Sequence, residues 1–247
     1  MASPTFTSNS AFSERGPLTP FQLAPDERTM TLDNTIRKSL ILFAIVLMGA
    51  GVGWFVPGIA LFAGLAAFVV SLIIAFKAQT NVPLIMAFSA LQGVFVGGLS
   101  SLLEASLPGI VIQAVLATFV VVGTTLMLYL NGKVRTSPKM TKFFLIAIVS
   151  YLVFSILNLV LQLTGVIDGA WGIYSATVFG IPLGLLIGVF AVLLGTYSLL
   201  MDFDYIKNGV RNRMPEKYEW SAAHGLIVTI IWIYVEILRL IAILRGE

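Results

Sequence analysis

Asp202 and Asp204 stand two apart in Leu199-Leu200-Met201-Asp202-Phe203-Asp204-Tyr205-Ile206-Lys207, at the end of a long apolar run. Glu104 and Glu236 also fall inside apolar stretches, Arg239 follows Glu236 by three residues, and His224 is the single histidine. A carboxylate in or beside hydrocarbon costs about 2.5–3.5 kcal/mol on insertion scales, so it is kept only where it faces protein or water. Such groups can take up a proton, offer oxygen to a cation or pair with a base. Histidine adds a group that titrates near neutral pH. The chain has no cysteine and one histidine, which excludes disulfides, thiolate sites and His-rich metal sites. Neither Gly-x-Ser-x-Gly nor His-Glu-x-x-His occurs, and His224 has no partner set for base catalysis. The expectation is no enzyme and no cofactor.

Helices must position these groups. The 247 residues are 58% hydrophobic and 11% charged, with mean hydropathy +0.96, whereas a soluble chain carries about 25% charged residues. Apolar runs of about 20 residues indicate membrane helices rather than barrel strands. Seven spans are predicted: 38–56, 59–77, 83–106, 109–131, 142–165, one starting between 176 and 182 and ending at 207, and 220–244. Residues 1–35, rich in Ser, Thr, Pro and Phe at their start, read as a disordered cytoplasmic tail without the apolar core of a signal peptide. Thr31-Leu-Asp-Asn-Thr35 offers capping side chains before the first span. Residues 36–247 form the seven-helix domain.

The pI near 9.2 does not imply nucleic acid, because the basic residues lie in short loops. Thirteen of the 15 flank the even-numbered spans or precede the first. By the positive-inside rule the N-terminus is cytoplasmic and the C-terminus outside.

Gly188, Gly195 and Asp202 are seven apart, sharing one face to about 20° per step. Gly180 and Gly184 extend the small-residue pattern, and span three carries Gly93 and Gly97-Gly98; such residues let helices approach closely in lipid. Asp202 therefore points inward. Asp204 lies about 200° round from it, where it reads as a headgroup-level charge beside Lys207. Thr229, Trp232, Glu236 and Arg239 form a stripe on span seven, and Arg239 can neutralise either Glu236 or Glu104. His224 is about 140° from that stripe but near Asp202 in depth, so it is either a pH-sensitive partner of Asp202 or a lone interfacial histidine. Glu236 lies about 24 Å beyond Trp220 along the helix, too far out to pair directly with Asp202. The candidate partners of Asp202 are His224, Lys77 and, through bending or water, Glu236.

Gln92-Gly-Val-Phe-Val-Gly-Gly-Leu-Ser-Ser-Leu-Leu-Glu104, Met201-Asp202-Phe-Asp204 and the closing Tyr-Val-Glu-Ile-Leu-Arg-Leu, in this order over seven spans, resemble the Bax inhibitor family of transmembrane proteins, in its bacterial branch. The resemblance covers residues 36–245. It implies seven helices with the last one central. It also implies a pH-sensitive calcium leak controlled by one acid each on spans six and seven, and a link to a membrane-anchored AAA protease. Asp202 matches the span-six acid; the span-seven acid falls at Thr229, which carries no carboxyl group.

Two functions follow as expectations. The first is a passive leak for calcium, protons or other cations in the bacterial inner membrane, gated near Asp202 with Glu236, His224 and Asp204 as further sensing residues. The second is a non-conducting protein that binds a membrane partner such as that protease. The lipid bilayer is a partner in both.

Overall fold

The computed structural model describes residues 28–77, 80–167 and 171–246. Helix α1 is Leu32–Phe55, and α2 is Ala60–Phe76 after a single 3-10 turn at Pro57–Ile59. Then come α3, Val82–Ser106; α4, Ile110–Leu130; α5, Pro138–Leu163; α6, Leu183–Arg211; and α7, Tyr218–Leu244. All seven are long and apolar enough to cross a bilayer, so the chain is an all-α, multi-pass membrane protein. The shortest, Pro57–Phe76 with its turn, has 20 residues, about 30 Å of helix.

Polar residues shift the helix ends away from the edges of the apolar runs. α1 starts at Leu32, six residues before the predicted span, because Thr31 is extended and its side chain accepts the Asn34 N–H. Of the disordered tail expected over 1–35, residues 28–35 are instead structured; residues 1–27 lie outside the described residues. α5 starts at Pro138 behind the Ser137 cap, whose side chain accepts the Met140 N–H. Before α6 the chain forms a hairpin of two short antiparallel strands, β1 Thr177–Val178 and β2 Ile181–Pro182. Gly180 lies in its turn with φ 79°, so it does not extend the glycine face of α6. α6 runs to Arg211 rather than 207, which puts Asp202 and Asp204 inside the helix instead of at its end. Hydropathy marks the border of hydrocarbon, and a helix can cross that border.

The chain divides into two units, Met1–Leu102 with Met201–Thr229, and Leu103–Leu200 with Ile230–Glu247. In the first unit α1 and α3 meet backbone to backbone. A Cβ on Gly97 or Gly93 would overlap the carbonyl oxygens of Ala50 and Val46. Close approach replaces the hydrophobic drive that lipid removes. Residues 28–30 pack against the connection between α6 and α7. Met30 N donates to the Met214 carbonyl at 2.6 Å, Glu216 N donates to the Arg28 carbonyl at 2.9 Å, and Thr29 bridges Pro215. Met30 shares a buried cluster with Ile206, Met214 and Ala222. In the second unit the glycine face of α6 receives α7: Gly188 lies under Leu240 and Gly195 under Ile233. α7 is the most enclosed helix, with 56% of its apolar window buried against at most 39% in the others.

Candidate functional site

In the first unit, Asp202 of α6 meets α7 at a notch. Thr229 Oγ1 donates to Asp202 Oδ2 at 2.6 Å. Gly225, one helical turn before Thr229, presents its bare Cα to the other oxygen; a Cβ there would stand 3.0 Å from Asp202 Oδ1. Residues four apart share a helix face, so Gly225 gives the room and Thr229 gives the hydrogen bond. Thr229 is buried and Asp202 half-buried. Among the described residues no ion pair reaches Asp202. Thr229, expected only as the place where a second acid is missing, is thus the residue that holds Asp202.

The other candidate partners are not brought to it. His224 lies half-buried on α7 with its ring edge-on to Phe88 of α3, centroids 4.8 Å apart, and its Nδ1 is buried without a hydrogen-bond partner among the described residues. The Asp202–His224 pair is therefore replaced by an aromatic contact: His224 is five residues from Thr229, about 140° round α7. Lys77 is exposed at the end of α2. Asp204 is half-buried on another side of α6 from Asp202.

A buried ion pair that span boundaries concealed lies in the same unit. Lys38 Nζ stands 2.7 Å from Glu219 Oε2 and 3.2 Å from Glu216 Oε1, and Glu219 is wholly buried. Glu219 Oε1 also accepts the Thr31 N–H at 2.7 Å, and the Lys38 ammonium lies 5.4 Å from the centre of the Trp220 ring. Lys38 reads in the sequence as a topology signal and Glu219 as a residue before a span. The signal available was their shared position at helix starts, which sequence distance obscures.

Glu236 occupies a separate buried network in the second unit. Its Oε2 pairs with Arg239 Nη2, and its Oε1 accepts from Tyr151 Oη of α5 and, at 3.3 Å, from Trp232 Nε1. Arg239 Nη2 also donates to Tyr151 Oη at 3.1 Å, closing a ring of three groups, and the guanidinium stacks 4.3 Å from the Tyr174 ring centre. Of the two partners open to Arg239, the structure takes Glu236. The Glu104–Arg239 salt bridge is corrected: Glu104 accepts the N–H groups of Gly109 and Val111 at 2.6 and 3.0 Å, capping the start of α4. An acid at a helix N-terminus satisfies orphan donors and the positive end of the dipole, which outcompetes a distant arginine. Asn158 likewise serves a loop, accepting the Ile173 N–H at 2.7 Å.

Among the described residues no three of His, Cys, Asp and Glu stand close enough to hold a metal ion. The notch at Asp202 offers a cation one carboxylate and one hydroxyl. The Glu236 network is internally neutral and hydrogen-bonded. Asp202 with Thr229 is an arrangement whose charge can change without breaking any salt bridge seen among the described residues.

The model of the family described as Bax inhibitor 1 like matches residues 3–246, nearly the whole chain. No curated protein matches the chain itself.

Proposed function

The chain belongs to the Bax inhibitor 1 like family, and from that premise we propose that it is a passive, pH-sensitive leak for calcium, protons or other cations, gated at Asp202. The observation that supports this reading is the notch itself: a half-buried carboxylate inside a membrane helix, held by the Thr229 hydroxyl and paired with no base among the described residues. A carboxylate in that setting is the group whose charge responds to protons. Deprotonated, it attracts a cation; protonated, it can donate back to the Thr229 hydroxyl and hold α6 to α7. One carboxylate and one hydroxyl are few ligands for calcium, which takes six to eight oxygens, so binding is of the passing kind. Reconstituted protein should carry a flux above that of empty liposomes, and Asp202→Asn should remove its pH dependence.

The membrane we assign, from the resemblance to the family's bacterial branch, is the bacterial inner membrane, and the 13 basic residues outside the odd-to-even loops support an N-terminus in the cytoplasm. Reporter fusions after residues 31 and 247 test it. The reading includes no catalytic step.

A second reading is a protein that docks a membrane partner, such as a membrane-anchored AAA protease, through its tail. It is favoured by the attachment of residues 28–30 to the α6–α7 connection, which fixes the start of the described chain beside that connection. A pulldown with residues 1–27 deleted separates them: binding lost with flux intact places docking in the tail.

A further inference from the structure

We propose that the hairpin between α5 and α6 is a membrane-surface anchor whose Phe179 sits among the lipid headgroups and uppermost acyl chains. Thr177 pairs with Pro182 and Val178 with Ile181, leaving Phe179 and Gly180 as a two-residue turn. Both have positive φ, 53° and 79°, as the turn type that matches the twist of a hairpin requires. Glycine adopts this without strain, and a bulky side chain does not. The turn stands Phe179 fully clear of the protein, with Val178 and Ile181 exposed beside it. Three apolar side chains at one tip are a patch that water disfavours.

The length of α6 identifies what covers them. From Leu183 to Met201 it has no charged residue over 19 positions, about 28 Å against about 30 Å of hydrocarbon. Asp202, Asp204, Lys207 and Arg211 set one end of that stretch at one hydrocarbon border, so Leu183 lies at the other. Two residues per strand let the hairpin reach at most about 7 Å further, roughly the depth of one headgroup layer. The tip therefore ends within that layer. Phenylalanine is among the apolar side chains with which interfacial segments bury about 5–10 Å into the headgroup and acyl boundary. No charge occurs between Trp171 and Met201, so a zwitterionic surface suffices and anionic lipid adds nothing.

The chain has no cysteine, so Phe179→Cys and Val178→Cys each accept one label in the full-length protein. With a nitrobenzoxadiazole dye in phosphatidylcholine vesicles, emission at either position should be blue-shifted from the dye in water. Headgroup-nitroxide lipids should quench it several-fold more than aqueous iodide. Neither result should change when the protein is diluted in lipid or when phosphatidylglycerol replaces part of the phosphatidylcholine. Water-like emission quenched by iodide at both positions overturns the proposal. A blue shift that disappears on dilution also overturns it, marking a second copy of the chain as the cover.

Discussion

Asp202 is bonded by Thr229 on one oxygen and faces Gly225 on the other, so each contact can be removed separately. Thr229→Val keeps the shape and deletes the donor. It should destabilise the fold by about 1–3 kcal/mol, read as a fall in melting temperature in detergent, and should displace the pH profile of flux without abolishing flux. An unaltered profile would mean that the hydroxyl does not hold the gate. The Glu236 network predicts a different pattern. Arg239→Met leaves a buried carboxylate without its cation, an uncompensated charge worth about 3–5 kcal/mol. The double variant Glu236→Gln with Arg239→Met should lose less than the sum of the single variants; additive losses would show that the two side chains act independently. The inward face of Asp202 was legible from its spacing to Gly195 and Gly188, and the Glu236–Arg239 pairing from their separation of three. Thr229 was not, because the sequence shows a hydroxyl where a carboxylate was sought, and a hydroxyl's partner is set by the neighbouring helix. Gly225 escaped for the same reason: a lone glycine in a helix acquires meaning only when something faces it.

At the scale of elements, glycine contacts set how near the helices come. Gly97 of α3 lies so close to Ala50 of α1 that any side chain must push the backbones apart. Gly97→Val should cost at least about 1–3 kcal/mol, the range for overpacking a filled interior. Gly51, also in α1, has nothing within 4 Å of a built Cβ; Gly51→Ala should be neutral or stabilise by up to about 1 kcal/mol through helix propensity. Equal effects of the two substitutions on melting temperature would contradict close packing of α1 on α3. The seven helices were readable from apolar runs because hydrocarbon thickness enforces their length. Their first residues were not, since Leu32, Pro138 and Leu183 begin helices for reasons of capping and turn formation. Glu104 shows the limit well: its spacing to the start of α4 carried the cap, because the backbone N–H groups of Gly109 and Val111 compete with any cation for its carboxylate.

At the scale of the molecule, the described N-terminal residues attach to the domain from Arg28 through Thr31, which donates its N–H to the buried Glu219. Deleting residues 1–31 removes Met30 from its cluster and an N–H donor from Glu219, and should lower the melting temperature below that of a protein lacking residues 1–27 alone. Equal melting temperatures for the two deletions would show that the segment contributes nothing to the domain. The most direct measurement for the whole molecule is calcium and proton flux into proteoliposomes from about pH 5 to 8, with wild-type protein and Asp202→Asn side by side. The expected result is a wild-type flux above that of empty liposomes that varies with pH, and an Asp202→Asn flux that does not. Flux indistinguishable from empty liposomes throughout, or an Asp202→Asn protein that keeps the wild-type pH profile, would contradict a gate at Asp202.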